Sequence, residues 1–262
     1  MATTVALRDE NTFEQPTPSP SRTEVLARYR HLREIGKRHH SEVMRFLAED
    51  AILRQGRRLG LVDGKTFFLD SDDELTLAFD LAIYTAPEGR SRAIDRYARS
   101  AQLTHGSDEA LVLDAMRRAR FAIIIVKRRH ESAGLIVTDI YREVELWLVD
   151  EGLEISLPPQ AAFATRYYAL DGFIMTAGVG TPVDSDLITH ALELAPQLLR
   201  KSLAKAIEDR RFAEAVYRAA IADGAMEQIR FQDPADTAKQ PDGLRCSSSH
   251  FGEERDVGGA TD

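Results

Sequence analysis

Residues 121–177 constrain this chain most, because there the spacing of apolar side chains changes from a helical to a strand period. FAIIIV at 121–126 is an unbroken apolar run rich in β-branched residues. Such a run suits a strand covered on both faces. LIVTDIY follows at 135–141. In EVELWLV at 143–149, Val144, Leu146 and Leu148 alternate with Glu143, Glu145 and Trp147, the period of a half-buried strand. FATRYYAL at 163–170 and FIMTA at 173–177 complete the set, joined by the hairpin dipeptide Asp171-Gly172. Short connections favour antiparallel neighbours, since parallel pairs need long crossovers. The expectation is a five-stranded antiparallel β-meander over 121–180. It hides a face only by curling into a small barrel or by taking a cover of helices, and no catalytic cavity is expected in it.

The flanks read as helix. Val25, Tyr29, Leu32, Val43 and Phe46 fall on one face of a stripe over 22–58, interrupted by Gly36, His39 and Asp50. A break near Gly36 would give two helices, because Gly is costly inside one. Asp63-Gly64 suits a small hairpin. SDDE at 71–74 matches a capping box, with Ser71 as cap and Glu74 reaching back. Leu75, Ala78, Phe79, Ala82 and Ile83 then form an apolar face that Pro87 and Gly89 end. Further helices are expected at about 91–102 and 108–119, the second capped by Ser107. Leu187, Ala191, Leu194 and Leu198 predict another, capped by Asp184 or Ser185 and kinked or restarted at Pro196. A last one carries Phe212, Val216, Tyr217 and Ala220. Helices 22–119, sheet 121–180 and helices 185–231 make an α+β chain with one domain over 22–231.

The 262 residues include 44% hydrophobic side chains, too many for a wholly disordered chain. Both ends differ. PTPSP lies in 1–21, and Leu244, Phe251 and Val257 are the large apolar residues of 232–262. These stretches read as disordered tails. The single cysteine excludes an internal disulfide and a cysteine-built zinc cage. No apolar run is long enough to span a bilayer, and the first residues lack a secretory pattern. The expected location is cytoplasmic, without membrane contact.

Charge is uneven. Residues 22–65 hold 11 basic and 6 acidic side chains, a balance of +5 against −8 for the whole chain. Arg30, Arg33, Lys37, Arg38 and Arg45 crowd the first helix, and a basic helix on an acidic body can grip phosphate backbones. Smaller clusters are Arg54-Arg57-Arg58, Arg117-Arg118-Arg120 and Lys127-Arg128-Arg129. The same features suit a solvated face or the acidic surface of a protein partner.

Motifs with defined chemistry fail one by one. His39, His40 and Glu42 do not give the zincin spacing, and a solvated or interfacial pair is expected. DSDDE at 70–74 would need glycine and glutamate where Leu75 and Leu81 stand to bind calcium. Gly64-Lys65-Thr66 lacks the glycine spacing of a phosphate loop, and Gly178 and Gly180 are too few for a dinucleotide fingerprint. Cys246, near His250, reads as an inert thiol. No cofactor and no metal is expected. Asp139, Glu143, Glu145, Asp150, Glu151 and Arg166 could converge as an acid–base set. Tyr167, Tyr168, Trp147 and Phe173 could form an aromatic patch with Arg142 and Arg166. Ordinary sheet polarity and core packing account for both.

GSDEALVLDAMRRARFAIIIV and GLIVTDIYREVELWLVDEGLEISLPPQAAFATRYYALDGFIMTAG, within residues 55–185, resemble a group of uncharacterised bacterial proteins, mostly alphaproteobacterial. The resemblance implies a bacterial cytoplasmic origin and carries no activity. The favoured expectation is a non-enzymatic binding or regulatory protein acting through protein–protein contacts, with a homodimer among the candidate assemblies. Nucleic-acid binding through the basic helix is the alternative. An enzyme in which Asp139, Glu145 and a histidine converge is the second alternative.

Overall fold

The structure is a computed structural model that describes residues 20–228 apart from Asp171. Most of the expected tails, with Cys246 and His250, lie outside the described residues. Helix α1 (Arg22–Val43) starts at a full capping box: Ser21 accepts from the Glu24 amide, and Glu24 accepts from the Ser21 amide at 2.9 Å. It runs unbroken through Gly36, so the break that would give two helices does not occur there. The glycine serves close packing, since a Cβ there would lie 3.0 Å from the Tyr168 hydroxyl. The break comes later, in a 3-10 turn at Met44–Phe46 before α2 (Ala51–Leu59).

The hairpin β1 (Val62–Asp63) and β2 (Thr66–Phe67) turns at Gly64 as expected. Helix α3 (Asp72–Tyr84) forms without the predicted capping box. Ser71 makes no cap, its hydroxyl is buried without a partner, and Glu74 accepts instead from the Asp70 amide at 2.8 Å. Helices α4 (Ala93–Ser100) and α5 (Asp108–Arg117) follow, the latter capped by Ser107.

Five strands then close on themselves. They are β3 (Arg120–Arg129), β4 (Leu135–Asp139), β5 (Val144–Leu148), β6 (Ala162–Ala169) and β7 (Ile174–Thr176), with β8 (Thr181–Pro182) appended to β6. Around the ring the order is β3-β4-β5-β7-β6, and β6 pairs back on β3. The strand positions match the expected ones, and the small barrel forms. One connection differs from a plain meander. Helix α6 (Glu151–Ser156), absent from the sequence reading, carries the chain away from β5, so β6 lands beside β3. The ring therefore closes through a parallel pair, Leu148 against Ile174, where the Val149 amide donates to the Ile174 carbonyl at 3.0 Å. Parallel pairing is possible here because helix α6 and strand β6 supply the long crossover.

Alternation along β3 explains its unbroken apolar run. Ala122, Ile124 and Val126 join Leu135, Val137, Leu148, Phe163 and Ile174 in one buried cluster. Phe121 and Ile123 point the other way, toward α3, α7 (Ser185–Leu194) and α9 (Arg210–Ala222). Tyr168 and Met175 meet α1, α4 and α5 in a further cluster. Helix α7 is capped by Asp184 and ends before Pro196, and the short α8 (Leu203–Ile207) precedes α9. The barrel is thus covered by helices on two sides.

Candidate functional site

Asp80 and Arg166 meet where the helical cover touches the barrel. Asp80 comes from α3 and Arg166 from β6. The guanidinium makes a two-pronged contact, Nε to Oδ1 at 2.7 Å and Nη2 to Oδ2 at 3.0 Å, with both residues buried. The Tyr217 hydroxyl of α9 donates to Asp80 at 3.2 Å, and Arg166 lies 5.0 Å from the Tyr84 ring centre. Burial, with the Asp80 carboxylate close by, holds the Tyr84 and Tyr217 hydroxyls well above their ordinary range. A buried pair of this quality is a fixed structural element, because either charge alone would be costly.

Hollows open on either side of this pair. One, of about 350 Å³, lies between the end of α1 and α3, with Met44, Phe79, Ile83, Ala177 and Gly178 among its walls. His40 and Tyr84 line it, and His40 Nε2 shares a 2.8 Å hydrogen bond with the Tyr84 hydroxyl. Burial, and then the charge of Arg33, lowers His40 to about 4. The imidazole is neutral at pH 7, and the hollow is mainly apolar. The other hollow, of about 390 Å³, is polar. Arg166 and Phe121 lie on its walls, with Arg90, Arg120 and Arg210 around them. A third, of about 360 Å³, adjoins it through Thr85, Ala86, Arg90 and Arg210.

The basic first helix is neutralised where it stands. Arg30 holds Glu151 at 2.7 Å, Lys37 holds Glu34 at 2.7 Å, Arg38 reaches Glu109 at 3.4 Å and Arg45 holds Glu42 at 2.7 Å. Arg33 points inward and donates to the Thr176 carbonyl at 2.5 Å. It binds α1 to the barrel next to Asp150, which caps α6 and accepts from the Thr176 hydroxyl at 2.8 Å. Of the five, Arg33 alone turns inward; Arg30, Lys37, Arg38 and Arg45 stay exposed, each beside one carboxylate. They were gathered by sequence proximity, whereas their acidic partners come from α1, α5 and α6.

The conceivable acid–base set does not converge either. Asp139 is buried and held by Arg142 at 2.7 Å, while Glu145 is exposed on the opposite face of the β4–β5 ladder. Glu143 is exposed at φ +55°, and Glu151 is engaged by Arg30. The aromatic residues pack as core: Tyr167, Tyr168 and Phe173 are buried, and Trp147 stacks on His130 at 4.0 Å. His39 is not solvated; it is buried between the Tyr97 hydroxyl at 2.8 Å and the Glu109 carbonyl at 2.9 Å. Among the described residues no histidine, cysteine and carboxylate cluster could hold a metal.

The hollows themselves escaped the sequence reading, although His40, Phe79, Arg120 and Arg166 were named there in other roles. Arg90, Arg120 and Arg210 are separated by tens of residues, so no local motif marks them. Phe79 read as part of the apolar face of its helix, and Met44 carried no signal of its own. Among the described residues no helix is long and apolar enough to cross a membrane. No curated protein and no solved structure matches the chain. A family model matches residues 23–229, which span all the described helices and strands but the first residue of α1, and the chain therefore belongs to a family of unknown function (DUF7986).

Proposed function

We propose that this chain is a non-enzymatic binding or regulatory protein that acts through protein–protein contacts, with the hollow between α1 and α3 as the contact site. The observation that carries this reading is an open apolar concavity with a partly exposed methionine, Met44, at its edge. Concave apolar sites with a few placed polar groups are the usual form of a binding site. A thioether adapts its shape to what it meets. The neutral His40 and the Tyr84 hydroxyl add a polar floor that can orient an apolar side chain inserted by a partner. The buried carboxylates support a non-enzymatic role, since Asp80, Asp139, Asp150 and Glu154 are all committed to structural partners. A bacterial cytoplasmic setting, alphaproteobacterial by resemblance, is part of the proposal.

Affinity capture of the native chain beside Met44→Asp and Phe79→Ser variants tests it. The expected result is a stoichiometric protein partner, or a second copy of the chain, that both variants lose while keeping their circular dichroism. A partner retained by both variants, or turnover of a substrate by the purified chain, contradicts the reading.

A further inference from the structure

Three guanidinium groups that make no salt bridge among the described residues line the polar cleft of about 390 Å³, beside Asp95, Glu208 and Asp209. Arg90 comes from the connection between α3 and α4, Arg120 is the first residue of β3, and Arg210 is the first of α9. Among the described residues none of the three makes a salt bridge or a side-chain hydrogen bond. The acidic groups of the same cleft are already taken. Asp95 is held by Arg92 at 2.7 Å and Arg117 at 3.6 Å. Glu208 is held by Arg142 at 2.6 Å, and Asp209 by Lys201 at 2.5 Å and Arg211 at 2.7 Å. Arg166, on the cleft wall, is neutralised by Asp80. Three like charges are left bordering one concavity, an arrangement that repels itself until an anion enters.

We propose that this cleft binds a small phosphorylated molecule, with its phosphate held by Arg90, Arg120 and Arg210. A carboxylate is matched by one bidentate guanidinium. A phosphate carries up to two negative charges and three outward oxygens, so it can use donors from three directions. The three arginines come from separate segments around one hollow, which suits that demand. The adjoining space of about 360 Å³ shares Thr85, Ala86, Arg90 and Arg210 with the cleft and is walled in part by Leu47, Ala51 and Ala82. With Arg54, Gln55, Arg58 and Arg96 on its other walls, it gives an organic body a space of mixed polarity next to the phosphate. The enclosure favours a small molecule over a nucleic-acid duplex, which needs a long exposed basic face. The site is separate from the apolar hollow assigned to a protein partner, so the two readings stand or fall independently.

Isothermal titration with inorganic pyrophosphate, and then with a nucleoside diphosphate, tests the proposal. The full chain should bind both in a saturable way, less tightly as salt rises, and the nucleoside diphosphate no more weakly than pyrophosphate. Arg90→Ala, Arg120→Ala and Arg210→Ala should each weaken binding about tenfold or more, the loss expected for one charge-assisted contact. Arg210→Lys, which keeps the charge and loses the fork, should fall between. Arg200→Ala removes an equal charge outside the cleft and should leave affinity unchanged. Circular dichroism confirms that each variant is folded. Absence of saturable binding, or equal weakening by Arg200→Ala, overturns the proposal. A nucleoside diphosphate that binds tenfold more weakly than pyrophosphate overturns the place assigned to the organic body.

Discussion

Arg166 on β6 and Asp80 on α3 form a buried two-pronged ion pair, with Nε to Oδ1 at 2.7 Å, that joins the barrel to its helical cover. Hollows lie on either side, with Asp80 lining the apolar one and Arg166 the polar one. One interaction therefore contributes a wall residue to each hollow.

Breaking that pair from one side should be severe. Asp80→Ala leaves a buried guanidinium without its carboxylate and the Tyr217 hydroxyl without its acceptor. Urea denaturation should show a loss of about 3–5 kcal/mol for Asp80→Ala or Arg166→Ala. The double change Asp80→Leu with Arg166→Met should cost clearly less than the sum, because it leaves no buried charge.

Gly36 offers a second test. By helix propensity alone, Gly36→Ala should stabilise by about 1 kcal/mol. The added Cβ would instead lie 3.0 Å from the Tyr168 hydroxyl, and Tyr168 is only 2% exposed and cannot move aside. The expected outcome of thermal denaturation is no gain or a loss. In a Tyr168→Phe background, which removes the oxygen, the same substitution should become stabilising relative to that background.

Gly134 closes the turn between β3 and β4 at φ +78°, and a Cβ there would collide with the Leu148 carbonyl of β5. Neither the dihedral nor the backbone contact can be relieved by a side-chain movement. Gly134→Ala should cost more than 1 kcal/mol, since backbone strain and a steric overlap act together. Urea denaturation measures it, and a neutral result would contradict the register of β4 on β5.

Acid stability should carry a histidine signature. Burial, and then Arg33, lower the folded-state pKa of His40 to about 4, below its ordinary 6.5. The unfolded chain thus takes up a proton before the folded one does. Stability falls as pH drops from about 6.5 to about 4, by at most on the order of 3 kcal/mol for this group. His39, also lowered by burial, acts in the same direction. Urea midpoints measured across this range should decline, and His40→Gln should flatten the decline.

The barrel was legible because its strands carry the chemistry of their surroundings. The FAIIIV run of β3 is covered on both faces, whereas in β5 burial rises toward Leu148 instead of alternating, with Val144 exposed and Trp147 half-buried. Helix ends were legible where a cap is local, as at Ser107 and Asp184. The misreadings share a cause. Gly36 looked like a break, yet its reason is Tyr168, which is distant in sequence. The ring closure was hidden because α6 is short and its cap, Asp150, sits among strand residues. The charges of α1 looked like one patch, yet Arg33 turns into the barrel and Arg30 and Arg38 pair with α6 and α5. Arg90, Arg120 and Arg210 are brought together only by the fold.

Site-specific photo-crosslinking in cells tests the central claim most directly. A benzophenone side chain would replace Met44 at the edge of the apolar hollow or, as control, exposed Glu145 on β5. The account predicts a defined crosslinked protein, a partner or a second copy of the chain, from position 44 and none from position 145. No crosslinked protein at position 44, or the same protein from both positions, would contradict it.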